Sequence, residues 1–187
     1  MLLVTVLAGC SSSDVGAPTT QSTTPPMSST TGEPGLDRPR ELKIDSVRPC
    51  ELFTAENREE FKTDRPVKET KDSYFQTQVC HFLGRAEMMT ISVNILLGYD
   101  MSYFAPTQPP VHTRLLRVHG FPAYEVYVDS EPGRAGCAVN IGVAQGQVLR
   151  AQAAEPGRYE NPLPQEEVCR RARRAADLAF GNLLARG

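Results

Sequence analysis

The chain has 187 residues, a length that allows one domain of ordinary size and not two. Its 20 basic and 22 acidic residues leave a formal charge of −2, which excludes a basic protein built around phosphate neutralisation. With 5 Cys and no Trp it is not a miniature scaffold held up by cysteine density.

The first nine residues, Met1 to Gly9, are apolar apart from Thr5, and Cys10 follows. A bilayer span takes about 20 apolar residues, so residues 1–9 read instead as the end of a signal-peptide apolar region. Leu7-Ala8-Gly9-Cys10 fits the bacterial lipobox, in which the Cys thiol accepts a diacylglycerol and becomes the mature N-terminus. A signal peptide opens on Lys or Arg, yet no basic residue precedes Arg38, so the true start is expected upstream. No later stretch approaches spanning length. The expected location is the cell membrane, held by lipid on its extracytoplasmic face.

Of the 26 residues from Ser11 to Leu36, 19 are Ser, Thr, Pro or Gly. So little apolar surface cannot offset the entropy of ordering, and Pro18, Pro25, Pro26 and Pro34 favour extended backbone. Residues 10–38 thus read as a lipidated Cys with a disordered tether, and residues 39–187 as a single domain.

Within that domain helical signals come first and last. Pro49 suits a first helical turn, and Thr54 can cap a short helix through Glu59, Glu60 and Phe61. Between the ends the period is two. Val79, His81 and Leu83 form a possible first strand, and Met89, Ile91, Val93 and Ile95 alternate with Thr90, Ser92 and Asn94. Gly98 to Phe104 reads as a loop, and Pro106, Pro109 and Pro110 forbid a regular continuation. Tyr124, Val126 and Val128 then alternate with Glu125 and Tyr127, and Pro132-Gly133 fits a type II turn. Cys137, Val139, Ile141 and Val143 form the next apolar row. After Gln145-Gly146, a plausible tight hairpin, Leu149, Ala151 and Ala153 form the last. Pro164 precedes Gln165-Glu166-Glu167, acidic residues suited to a helix N-terminus. Cys169, Ala172, Ala176, Phe180 and Leu183 then make one apolar helical stripe. The expected class is α+β: an antiparallel sheet with one buried face, flanked by a short N-terminal helix and a long C-terminal helix.

With Cys10 assigned to lipid, four cysteines remain, and four permit three connectivities. Cys137 shares the inward alternation of Val139, and Cys169 lies on the stripe of the helix that should cover that face. That points to a Cys137–Cys169 bridge and leaves Cys50–Cys80. Zinc sites bring ligands in close C-x2–4-C pairs, and none occurs here.

The lipobox, the Ser/Thr/Pro tether and Pro49-Cys50-x-Leu52-x-Thr54 together resemble the actinobacterial lipoproteins grouped as the domain of unknown function 3558 family. The resemblance continues through Cys80-His81-Phe82, Gly120-Phe121-Pro122-Ala123, Cys137, and Cys169 with its Ala-rich helix, over roughly residues 46–185. Where the family usually has a Trp two residues after its second Cys, this chain has Phe82. The resemblance implies an exported, lipid-anchored, disulfide-braced domain and brings no established activity. In outline the sheet and its helices are similar to the Mog1/PsbP-like α/β sandwich, a likeness of fold alone.

No catalytic residue, metal ligand or cofactor is expected, because no G-x-S-x-G, H-E-x-x-H, P-loop or G-x-G-x-x-G motif opens in a suitable context. His81 reads as a hydrogen-bonded strand residue, and His112 and His119 lie among strands. Arg170, Arg171, Arg173 and Arg174 read as a solvated helix face, so no nucleic-acid partner is expected. The candidate binding residues are Tyr99, Met101, Tyr103 and Phe104, an aromatic loop that could form a recognition patch or fold back over the core. The outward row of Thr90, Ser92, Asn94, Tyr127 and Asn140 is a second candidate surface. The leading expectation is a non-catalytic envelope lipoprotein that binds an unknown envelope protein or ligand. The alternatives are a small-ligand or glycan sensor, with a pocket between helix and sheet lined by Tyr124, Phe104 or Phe180, and an envelope enzyme with a non-standard site.

Overall fold

A computed structural model describes residues 36–106 and 108–186, which fall in the unit spanning residues 32–187. The expected signal peptide, Cys10 and the tether as far as residue 35 lie outside the described residues. Contacts with the domain begin before the expected boundary at residue 38. Leu36 packs against apolar side chains of the sheet, and the Asp37 carboxylate lies 2.6 Å from the Arg117 guanidinium.

The alternating segments build seven strands: β1 (Lys68–Lys71), β2 (Gln78–Gly84), β3 (Met89–Leu97), β4 (Val111–Val118), β5 (Phe121–Val128), β6 (Gly136–Ala144) and β7 (Gln147–Ala154). They form one antiparallel sheet in the order β1-β2-β3-β7-β6-β5-β4. Two meanders thus meet where β3 pairs with β7. The turn between β5 and β6 closes with Arg134 N–H donating to the Glu131 carbonyl at 3.0 Å. Gly133 sits there at φ +79°, where a Cβ would come within 2.3 Å of the Arg158 carbonyl oxygen, so only glycine fits.

A 3-10 turn at Pro49–Leu52 leads into helix α1 (Ala55–Glu60), capped by Thr54 and Asn57 bonding each other's backbone N–H groups. Helix α2 (Gln165–Leu184) follows Pro164. The class is therefore α+β, with short helical structure near the start of the domain and one long helix at its end. The α2 stripe is wider than the sequence pattern: Val168, Ala175 and Ala179 join Cys169, Ala172, Ala176, Phe180 and Leu183 in the core. It packs mainly on β6 and β7, against Val139, Ile141, Leu149, Ala151 and Ala153, all fully buried. Small alanines on the helix let it approach the sheet closely, and Phe180 fills the end against Phe121, with ring centroids 4.9 Å apart. The disulfides are Cys50–Cys80, tying the 3-10 turn to β2, and Cys137–Cys169, tying β6 to α2.

Three features differ from the expectation. Strands β1 and β4 were not anticipated, because their residues carry charges on both faces. Arg114 and Arg117 interrupt β4, and all four residues of β1 are polar. The sheet also does not have a single buried face. The connection from β3 to β4 crosses the face opposite α2, where Met101, Phe104, Leu96, Tyr124 and Val148 form a second apolar cluster. Strand β5 is inverted relative to its apparent pattern. Ala123, Glu125 and Tyr127 face α2, since they pair across the ladder with Ile141, Val139 and Cys137, and Phe121 shares their phase, while Tyr124 and Val126 face the second cluster. Its helix-side charge is tolerated because Glu125 is clamped by Arg114 at 2.7 Å and Arg173 at 2.6 Å.

Candidate functional site

The second face of the sheet is divided. One end lies under the 3-10 turn Met101–Phe104, where Met101 and Phe104 are each 7 % exposed. Met101 seats against Gly142 of β6, whose missing side chain leaves room for the thioether. Of the two readings of Tyr99, Met101, Tyr103 and Phe104, folding back over the core holds for Met101 and Phe104. Met101 and Phe104 are core residues and Tyr99 is half-buried, because an uncovered apolar end of the sheet lies directly beneath them. Tyr103 alone of the four is well exposed, at 48 %.

Tyr103 belongs to an aromatic cluster completed from the loop before β2. Its hydroxyl lies 2.6 Å from that of Tyr74, which is 70 % exposed. Phase by phase the rings meet edge to face: Phe75 touches Tyr74, Tyr99 and Tyr103, with centroids 4.9 to 6.2 Å apart. Asp72 shapes that loop, its Oδ1 accepting from the backbone N–H of Tyr74 at 2.9 Å and of Phe75 at 2.8 Å. The hydrogen bond shared with Tyr74, with some help from burial, pushes the Tyr103 phenol up to about 12.

Beyond the aromatic cluster the face is polar. His81 on β2 bridges Thr70 at 3.0 Å and Ser92 at 2.9 Å, and burial lowers its pKa. Arg150 on β7 donates to the Asn140 Oδ1 at 2.8 Å and the Gln152 Oε1 at 3.3 Å, and lies 5.3 Å from the Phe75 ring centroid. A groove of about 290 Å³ opens beside it, over Val126, Val128, Ala138 and Gln152. Of the outward row expected from the sequence, Ser92, Asn94 and Asn140 are on this face but buried, and Tyr127 is on the other.

The family model described as "Protein of unknown function (DUF3558)" matches residues 5–182. The chain belongs to this family. No curated protein and no solved structure matches it.

In this DUF3558 chain the two other histidines are engaged in structure. His112 stacks on Tyr127 with centroids 4.6 Å apart and reaches Asp129 at 2.9 Å, while His119 meets Asp177 of α2 at 3.1 Å. One buried trio, Glu125, Cys137 and Cys169, brings its potential ligand atoms within 4.8 Å of one another. The disulfide occupies both sulfurs, and two arginines hold the carboxylate, so no open ligand set remains there. The helix arginines are likewise neutralised: Arg170 and Arg171 by Glu167, and Arg174 by Glu60 and Asp177. The Arg170 and Arg171 guanidiniums hold the Glu167 carboxyl down to about 2. Among the described residues no helix is long and apolar enough to cross a membrane.

A groove of about 440 Å³ lies between α2 and β4, lined by Arg114, Leu116, His119, Arg173 and Asp177, but the expected lining by Tyr124, Phe104 or Phe180 does not fit this geometry. Phe104 and Tyr124 lie on the face opposite Phe180, and the side chains between α2, β6 and β7 are packed at essentially zero exposure. Sequence reading passed over Tyr74, Phe75 and Arg150. The first two form an aromatic pair inside a polar turn. Arg150 is a long cation on the outward phase of an otherwise small-residue strand, Leu149-Arg150-Ala151-Gln152-Ala153.

Proposed function

We propose that this DUF3558 chain is a non-catalytic lipoprotein, anchored through Cys10 on the extracytoplasmic face of the cell membrane, whose domain binds another envelope component, most simply a protein. The observation that carries the binding reading is the cluster of Tyr74 and Tyr103, exposed side by side and joined hydroxyl to hydroxyl. Tyrosines offer large contact area with a polar tip and few rotatable bonds, the properties enriched at recognition surfaces. Two disulfides in a domain of this size support an oxidising compartment, consistent with export. Phe75 and Tyr99, which pack against the second core, hold the rings of Tyr74 and Tyr103, so a partner would meet them with little ordering cost.

Two measurements test the reading. Cys10→Ala, expressed with a functional export signal, should move the protein from the membrane to the soluble extracytoplasmic fraction; unchanged fractionation would remove the lipid anchor. A photo-crosslinking residue at position 103 should give a discrete adduct in the native envelope, while the same residue at the exposed Glu59 on α1 should not. No adduct at 103, or equal adducts at both positions, would remove the binding surface.

A further inference from the structure

Arg150 differs from the arginines of α2 in having no carboxylate partner among the described residues. The arginines around two other grooves lie against carboxylates: Arg170, Arg171 and Arg174 on one side of α2, and Arg173 and Arg114 on Glu125. Arg150 instead has two neutral amide oxygens, of Asn140 and Gln152. The carboxylate that acts on it, Asp72, has an oxygen committed to two backbone N–H groups and forms no ion pair with it. Burial accordingly pulls the Arg150 pKa down to about 10, and it stays charged at neutral pH. A shielded guanidinium without an anion is costly, because its desolvation is only partly offset by neutral acceptors.

A second observation comes from the next strand. Asn94 on β3 pairs directly with Arg150 across the ladder, so the two side chains share a face. Asn94 is 2 % exposed, and its Nδ2 is a buried donor with no hydrogen-bond partner. On this face Arg150 thus has only neutral acceptors, and its ladder neighbour Asn94, outside the groove lining, keeps a donor with none. The groove that Arg150 lines has an apolar floor of Val126, Val128 and Ala138, and Arg134 stands at its rim, bonded to the Tyr159 hydroxyl. Asp129 also lines it, with its carboxylate engaged by His112 at 2.9 Å. The volume of about 290 Å³ is at the small end of the range for organic ligands.

We propose that this groove binds the carboxylate of an organic acid, with the Arg150 guanidinium as its counter-ion and the valines beneath its apolar body. The planar fork of arginine suits two carboxylate oxygens at once. The site does not depend on the lipid anchor or on the Tyr74–Tyr103 surface, so either can fail without the other.

The test is an NMR titration of the full ¹⁵N-labelled chain, following the Arg150 Nε–H and the Gln152 side-chain amide. Benzoate stands for a free small acid and N-acetylphenylalanine for a peptide-terminal carboxylate; benzamide and N-acetylphenylalanine amide are their uncharged counterparts. At least one acid should shift both resonances saturably, and its amide should bind at least about tenfold more weakly, as loss of a charge-assisted pair requires. The tighter acid identifies the source of the carboxylate. Arg150→Gln should abolish the response. Gln152→Glu guards against a misfolded variant: it is nearly isosteric, places a carboxylate beside the guanidinium, and should block the acids while preserving the remaining spectrum. Equal shifts with acids and amides, no saturable shift, shifts centred on Arg170 and Arg174, or binding retained in folded Gln152→Glu would each overturn the proposal.

Discussion

At the scale of single residues, neighbours in sequence have separate roles. Tyr103 and Phe104 are adjacent aromatics in one 3-10 turn, and their side chains leave it in different directions. Phe104 is buried with Leu96, Met101, Tyr124 and Val148, so truncating it opens a cavity under the turn. Phe104→Ala should lower stability by about 3–5 kcal/mol, a drop in Tm on the order of 10 °C for a domain of this size. Tyr103→Ala removes a mostly exposed ring and a solvent-accessible hydroxyl pair, and should cost no more than about 1 kcal/mol. Thermal unfolding of the two variants at neutral pH measures the contrast. Equal losses would mean that the turn is not divided into a buried anchor and an exposed contact. The aromatic composition of the loop was legible in the sequence, but this division was not. It depends on which ring meets the uncovered end of the sheet, and that end is assembled from β3, β5 and β7.

Secondary-structure elements show the same dependence on context. Strands β3, β6 and β7 were readable because their helix-facing rows are uniformly apolar, and α2 because its stripe repeats at helical spacing. Strand β5 was readable as a strand and misread in phase. Its two faces both carry large side chains, and the buried Glu125 makes the core face look like the outer one. Once β6 fixes the ladder, the phase of β5 follows from register. The cysteine pairing was legible from the faces of β6 and α2 alone. The Cys137–Cys169 bridge closes a separation of 32 residues, so replacing both with Ala should remove about 3–4 kcal/mol by the chain-entropy argument. The helix itself should persist, because its buried stripe does not need the bridge. Far-UV circular dichroism at 25 °C should be unchanged while the denaturant midpoint falls. Loss of the helical signal would assign α2 to the disulfide rather than to its apolar contacts.

On the scale of the whole molecule, acidity acts on two sets of groups. Burial lowers the His81 pKa from its ordinary 6.5, with nearby Lys68 adding to the effect and Asp72 opposing it. A histidine held neutral in the fold takes up its proton more readily in the unfolded chain, so stability is full above about pH 6.5 and falls as pH drops below that value. The carboxyls form the second set. Glu60, Glu87 and Glu167 all lie below their ordinary 4.5, chiefly through hydrogen bonds from Arg174, Lys62 and Arg170. Their contribution is present above about pH 4.5 and is lost as pH falls through the lowered folded values. Tm should therefore be flat between about pH 7 and 8, decline gently below about 6.5, and decline further below about 4.5. His81→Asn, which keeps a donor and an acceptor between Thr70 and Ser92, should remove the first decline and leave the second. The measurement is Tm against pH for both proteins at constant ionic strength. A wild-type curve flat down to about pH 5, or a first decline that survives in His81→Asn, would mean that the polar half of the second face carries no titrating histidine of consequence. The reason to expect otherwise is geometric: His81 sits with both ring nitrogens engaged by neutral hydroxyls, so no anion is in contact with the imidazolium and Asp72 only partly offsets the burial.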